Sequence, residues 1–113
     1  MSLRKKQSQF VRMVADLICW GNVHGYEFTF GETTRTRAQA RRNAQAGSGI
    51  ANSLHCSRLA IDLNVFLDGT WLRQTEQLTE LGEYWEGLGG AWGGRFKRRP
   101  DGNHFSLAHG GRK

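Results

Sequence analysis

Cysteine is scarce in this sequence. Cys19 and Cys56 are the only two among 113 residues, and they lack the CxxC spacing of a paired-thiol site. We therefore expect both thiols to be reduced and the chain to be made in a cytoplasm.

Long hydrophobic runs and a signal-peptide core are also missing. The longest apolar stretch, MVADLICWG at residues 13–21, contains Asp16 and is far shorter than the roughly 20 residues that cross a bilayer. No apolar core of a secretion signal follows the opening residues MSLRKKQSQF. We expect no stable membrane insertion, so that passage across a membrane would need a second protein.

Neither an internal repeat nor a linker divides the chain, whose length is close to the commonest domain size. Residues 1–113 are therefore predicted to form one domain. Hydrophobic residues make up 38% and charged residues 23%, which suits a globular fold better than a disordered chain. The 16 Lys and Arg against 10 Asp and Glu give a net charge of +6, so the surface should attract polyanions such as nucleic acid, anionic lipid or cell-wall polymer.

Hydrophobic periodicity in the first half predicts two helices and a strand. Apolar residues at helical spacing predict a helix from Ser2 or Lys5 to a stop near Gly21. The alternating YEFTF at residues 26–30 predicts a half-buried strand. Ala, Arg and Gln in TRTRAQARRNAQA, residues 34–46, predict a second helix, followed by a loop in GSGIANS.

The second half predicts a strand, a hairpin, a helix and a last strand. In LAIDLNVF, residues 59–66, the bulky apolar side chains share one face, and Asp62 lies on the other. Asp68–Thr70 is typical of a hairpin turn that returns in TWL. A third helix is predicted in residues 74–90, then a basic glycine-rich loop to residue 103 and a strand in HFSLA. We also expect Trp71, Trp85 and Trp92 in the core. The pattern favours a compact α+β domain with a mainly antiparallel sheet and about three helices.

The candidate chemistry lies in His55, Asp62, Asp101 and His104. A catalytic zinc site takes three His or carboxylate ligands and leaves a fourth position for water. Seven residues of regular helix or strand would keep His55 and Asp62 apart, but a turn at HCSR lets His55 fold back over the Asp62 face. His104 is the best third ligand. Asp101, three residues earlier, can lie beside the metal and accept a proton from its water.

SLHCSRLAID and DGNHF resemble the two signature motifs of the zinc D,D-peptidase and L-alanyl-D-glutamate peptidase family. The first motif, Ser-x-His-x-x-Gly-x-Ala-x-Asp, fits at residues 53–62, with Arg58 in place of its glycine. The second, an acid, two residues and His, fits at residues 101–104, and an upstream Arg-x-x-x-Gln element fits at Arg35 and Gln39. This resemblance, which spans Tyr26 to Phe105, implies the Hedgehog/D,D-peptidase fold.

The resemblance also implies the roles of these residues. His55, Asp62 and His104 would bind Zn²⁺, and Asp101 would be the catalytic base. Arg35 would stabilise the substrate carbonyl, while Gln39 and Ser53 would contact the substrate. The substrate would be the peptidoglycan stem peptide, cut between L-Ala and D-Glu by a monomeric single zinc peptidase domain that does not bind nucleic acid.

The biological role implied is that of a phage endolysin. Such an enzyme accumulates in the host bacterial cytoplasm and reaches the cell wall only after a membrane-permeabilising partner has acted. Three alternatives remain: a D-Ala-D-Ala carboxypeptidase of the same family, a small metal-dependent nuclease suggested by the positive charge, and a wall-binding domain without turnover.

Overall fold

The computed structural model describes residues 2–31, 54 and 57–110. The helix predicted in residues 34–46 and the loop after it lie outside the described residues. Within the described part, helix α1 spans Leu3–Val23 and helix α2 spans Thr79–Gly87. None of the helices described combines the length and the apolar character needed to cross a bilayer.

Helix α1 confirms the first helix prediction and extends two residues beyond Gly21. The Ser2 hydroxyl accepts a hydrogen bond from the Lys5 backbone N–H at 3.2 Å and so caps the helix. At the other end the chain turns through Gly25, whose φ of +92° favours glycine. Phe10, Met13 and Leu17 form the buried face of the helix.

Five antiparallel strands form the sheet in the described part of the chain. They are β1 (Tyr26–Phe30), β2 (Ala60–Leu67), β3 (Thr70–Leu72), β4 (Ala91–Trp92) and β5 (His104–Ser106). The order is β1-β2-β5-β4, and β3 also pairs with β2. The comparatively long β2 is therefore the central strand on which the sheet is assembled.

Two strands share one edge of β2. Residues 65–67 pair with β3, whereas residues 60–62 pair with β5. The opposite edge pairs with β1, and the Gly31 backbone N–H continues that ladder by donating to Asp62 O at 2.8 Å. Along this edge, the strand that pairs with β2 thus changes from β5 to β3 near Asn64. A gap separates β3 from β5 there.

The hairpin and the last helix follow their predictions closely. Asp68 and Gly69 both have positive φ, of 51° and 78°, as a type I′ turn requires. The third helix prediction is confirmed over α2, although its first turn, Thr75–Leu78, is a 3₁₀-helix. The predicted stop is confirmed too, since Gly89 follows the helix with a φ of +99°.

The core lies between the helices and one face of the sheet, with Trp85 at its centre. Its ring is fully buried and makes edge-to-face contacts with Phe10 and Phe105, at centroid distances of 5.7 and 5.8 Å. The indole N–H donates to Ser106 O at 2.9 Å, so this apolar side chain also satisfies a sheet carbonyl. Trp85 therefore couples α1 and α2 to β5.

Two sequence predictions are wrong, one about Trp71 and one about the segment after Gly90. Trp71 is not a core residue, because 48% of its surface is exposed. It pairs with Phe66 across the hairpin and shares that residue's outward face. The supposed loop after Gly90 contains strand β4 and a 3₁₀ turn at Gly93–Arg95. A two-residue strand is too short to show any periodicity.

Gly82 generates a stability prediction, because α2 packs closely against the Trp92 indole at this position. A Cβ added at Gly82 would overlap that ring, whereas one added at Gly87 on the same helix meets nothing within 4 Å. We expect Gly82→Ala to lower the free energy of unfolding by about 1–3 kcal/mol in urea denaturation. Gly87→Ala should be neutral or stabilising by up to about 1 kcal/mol. Equal stability of the two variants would contradict this packing.

Candidate metal and active site

Antiparallel pairing of β2 with β5 brings Asp62 and His104 together. They are direct cross-strand partners, so their side chains extend from the same face of the sheet. His104 Nδ1 lies 3.3 Å from Asp62 Oδ1. Ile61 and Leu63 point the other way into the core, as the alternation predicted. The apolar pattern of β2 therefore determines the face on which the carboxylate lies.

The pair is largely shielded from water. Only 19% of the Asp62 side chain and 11% of the His104 side chain are exposed. The Phe96 ring packs against the imidazole with a centroid distance of 5.4 Å. Charged interactions are stronger here than on an open surface, because the surroundings are less polarisable than water.

Asp101 is held by a tight turn that leads into β5. The His104 N–H donates to Asp101 O at 3.2 Å, and the Asp101 N–H donates to Gly93 O at 2.9 Å. The Trp92 indole donates to Gly102 O at 2.7 Å. At Gly93 an added Cβ would overlap Asp101 O and come within 2.7 Å of His104 Cβ. The absence of a side chain at Gly93 thus allows both functional residues to approach.

The three functional groups converge, as ligand atoms of Asp62, Asp101 and His104 all lie within 4.8 Å of one another. Zinc binds nitrogen and carboxylate oxygen at roughly 2.0–2.2 Å, so two ligands of a tetrahedral ion are about 3.4 Å apart. The Asp62–His104 separation of 3.3 Å matches that spacing. The exposed carboxylate of Asp101 would be close enough to contact a water bound to such an ion. The donor set therefore fits a divalent metal such as zinc.

The other predicted site residues, Arg35, Gln39, Ser53 and His55, lie outside the described residues. The turn that leads into β2 is described at its two ends. Leu54 O accepts hydrogen bonds from the backbone N–H groups of Ser57 and Leu59, at 3.1 and 3.0 Å. His55 follows Leu54 in the sequence, and its role as a third ligand stays a prediction.

Arg58 in this turn has a backbone conformation that usually favours glycine. Its φ is +57°, in the left-handed region where a Cβ is unfavourable. This is the position at which the motif quoted above has glycine. Arginine therefore preserves the turn at an energetic cost.

Several supporting contacts had no recognisable signal in the sequence. The close packing at Gly93, the indole hydrogen bond of Trp92 and the Phe96 ring over His104 all come from residues 91–103. That segment was predicted only as a basic glycine-rich loop. Its two aromatic residues, Trp92 and Phe96, lie close to glycines in the sequence, but this does not specify their packing partners.

Two comparisons with known proteins give a match. The model of a family described as D-alanyl-D-alanine carboxypeptidase matches residues 46–107, more than half of the chain. The fold is similar to the crystal structure of the Serratia marcescens L-Ala D-Glu endopeptidase ChiX, with a TM-score of 0.72 and 24% identity. That alignment covers 88% of this chain and 77% of the other. A search of curated proteins finds no significant match.

Arg58 generates a prediction about the turn that leads into β2. Arg58→Gly should relieve the left-handed strain and raise the free energy of unfolding by up to about 1 kcal/mol, after the larger backbone entropy of unfolded glycine is counted. Arg58→Ala is the matched control, because it removes the charge and keeps the Cβ. A glycine variant that melts no higher than the alanine variant in thermal denaturation would contradict the positive φ.

Proposed function

Because this chain belongs to the D-alanyl-D-alanine carboxypeptidase family, we propose that it is a zinc metallopeptidase that cleaves the L-alanyl-D-glutamate bond of peptidoglycan stem peptides. One observation carries the proposal. Two carboxylates and one imidazole from β2, β5 and the turn before β5 converge within 4.8 Å. Such a set combines metal ligands with a neighbouring proton acceptor, as peptide hydrolysis needs.

Asp62 and His104, together with His55, are the proposed zinc ligands. Bound zinc would polarise the scissile carbonyl and lower the pKa of a coordinated water. Asp62 is held through its backbone by Gly31 and His104 through its backbone by Asp101, and their cross-strand pairing puts both side chains on one face. Preorganised ligands reduce the cost of assembling the site.

Asp101 is the proposed general base. It would accept a proton from the attacking water and then deliver that proton to the amine of the departing peptide. Its position suits the task, because it lies beside the Asp62–His104 pair and remains exposed to substrate. Arg35 is proposed to stabilise the oxyanion, and Gln39 and Ser53 to contact the substrate.

The choice of scissile bond has two candidates. The similarity to an L-Ala D-Glu endopeptidase supports the first, cleavage between L-Ala and D-Glu. The description of the matched family supports the second, removal of a terminal D-Ala. Product analysis separates them, since the first reaction creates a new amino terminus on D-Glu and the second releases free D-Ala.

The biological setting we propose is host-cell lysis by a phage endolysin. The enzyme would accumulate in the host cytoplasm and act on the wall as a monomer, once a partner has permeabilised the membrane. The net charge of +6 supports adsorption to an anionic wall. In keeping with this, protein produced inside host cells should lyse them only when the cytoplasmic membrane is also permeabilised.

Replacing the proposed base should separate catalysis from metal binding. Asp101→Asn should lower the rate of release of amino termini from purified peptidoglycan by about 10²- to 10⁴-fold, because the amide cannot accept the proton. Its zinc content should stay close to that of the wild type. Asp68→Asn is the matched control at an exposed turn that tolerates either residue. Full activity of Asp101→Asn would rule out the proposed base.

Replacing a proposed ligand should remove both zinc binding and peptidoglycan hydrolysis. We expect His104→Ala to lose stoichiometric zinc after dialysis, measured by elemental analysis, and to lose peptidoglycan hydrolysis with it. His109→Ala, which changes a histidine outside the cluster, should keep both. Retention of one zinc per chain by a folded His104→Ala protein would be incompatible with the proposed ligand set.

A further inference from the structure

A cavity of about 270 Å³ opens beside Asp101, and neither Asp62 nor His104 is among its described lining residues. It lies at the gap where the edge of β2 changes its partner from β3 to β5. Its lining includes Asn64 of β2, Trp71 of β3, Arg73 directly after β3, and Asp101 in the turn before β5. The proposed base therefore forms part of the cavity wall.

The wall that carries Asp101 is firmly attached to the rest of the fold. The Gly102 N–H donates to Thr75 Oγ1 at 3.2 Å, which joins the turn to the 3₁₀-helix after β3. A Cβ at Gly102 would come within 2.9 Å of Thr75 Cα and 3.2 Å of Leu78 Cδ1, so the two segments are in close contact. The wall that carries Asp101 is thus held in place by close contacts with the 3₁₀-helix.

Among the described residues that line this cavity, Arg73 is the cationic one and Asp101 the acidic one. The Arg73 guanidinium lies over the Trp71 ring, with Cζ 4.8 Å from the ring centroid. Within the described part of the chain, no carboxylate forms an ion pair with Arg73. Stacking of one guanidinium face leaves the N–H edge available, and that edge suits bidentate binding of a carboxylate.

The proposed chemistry determines which part of the substrate comes close to this cavity. This step rests on the proposed function. Because Asp101 passes a proton to the departing amine, the departing residue must lie on the Asp101 side of the metal. In L-alanyl-γ-D-glutamate the carbon that bears this amine also bears a free α-carboxylate. The same holds for a terminal D-Ala, so either scissile bond places an anion next to the amine.

We propose that Arg73, held against Trp71, binds the α-carboxylate of the departing residue and makes the enzyme selective for it. The exposure of Trp71, which contradicted its predicted core position, is explained by this role. The indole forms a platform that holds the guanidinium at the cavity instead of filling the core. Arg73 is thus a specificity-determining residue that acts on the departing side of the bond.

The test uses two synthetic peptides, L-Ala-γ-D-Glu-L-Lys and its analogue in which the D-Glu α-carboxylate is an amide. Wild-type kcat/KM should favour the free carboxylate by about 10- to 100-fold, as charged hydrogen bonds of this kind are worth. Arg73→Gln should lower kcat/KM for the carboxylate peptide, mainly through KM, and leave the amide peptide nearly unchanged. Arg73→Lys should restore part of the preference.

Arg98→Gln is the matched control, because it removes one exposed positive charge from the loop before Asp101 and lies outside the cavity lining. It should keep the wild-type preference. Equal hydrolysis of both peptides by the wild type, or an undiminished preference in Arg73→Gln, would overturn the role of Arg73. Either result would leave the proposed L-Ala–D-Glu cleavage intact. Hydrolysis of neither peptide by the wild type would overturn the proposed L-Ala–D-Glu cleavage, and with it the binding of the D-Glu α-carboxylate by Arg73.

Discussion

The pairing of Asp62 with His104 across β2 and β5 is the contact on which the site depends. It arises from sheet register, since the two residues are opposite each other and share the face turned away from the helices. A shift of one residue in either strand would move one of the side chains into the core. Ile61, Leu63 and Phe105 oppose such a shift, because it would expose their buried side chains. The hydrophobic core thus maintains the polar site on the opposite face.

The turn before β5 supplies Asp101, the third functional group, although Asp101 lies in neither a helix nor a strand. Asp101 and His104 are connected by a backbone hydrogen bond, and the turn is fastened to Gly93, Trp92 and Thr75. These attachments come from two separate stretches of chain, residues 92–93 and residue 75. The exposed carboxylate can therefore have a defined position, as a general base needs. The same turn also lines the cavity that contains Arg73.

The sequence was a good guide wherever a short pattern determines the local conformation. The alternation in residues 59–66 correctly predicted which face carries Asp62, and DGT correctly predicted the hairpin turn. The motif resemblance is confirmed at the level of the family by the match over residues 46–107. The spacing of Asp101 and His104 was sufficient to suggest that they act together. The structure now places both of them next to Asp62.

Features that depend on distant contacts were not accessible from the sequence. Strand β4 has two residues and exists because β5 lies beside it. A tryptophan such as Trp71 is expected in the core, but the register of the hairpin turns its side chain outward. The cavity between β3 and β5 results from the change of partner along β2, which no local pattern encodes. Arg73 therefore could not be distinguished from the many other arginines in the chain.

The most direct test of the account is to locate the metal in crystals grown with zinc, by anomalous diffraction at the zinc absorption edge. We predict one strong peak per chain within bonding distance of His104 Nδ1 and an Asp62 carboxylate oxygen, with Asp101 beside it. No peak at this position, or a peak elsewhere while these side chains bind only each other, would contradict the central claim that the β2–β5 pairing forms a zinc site.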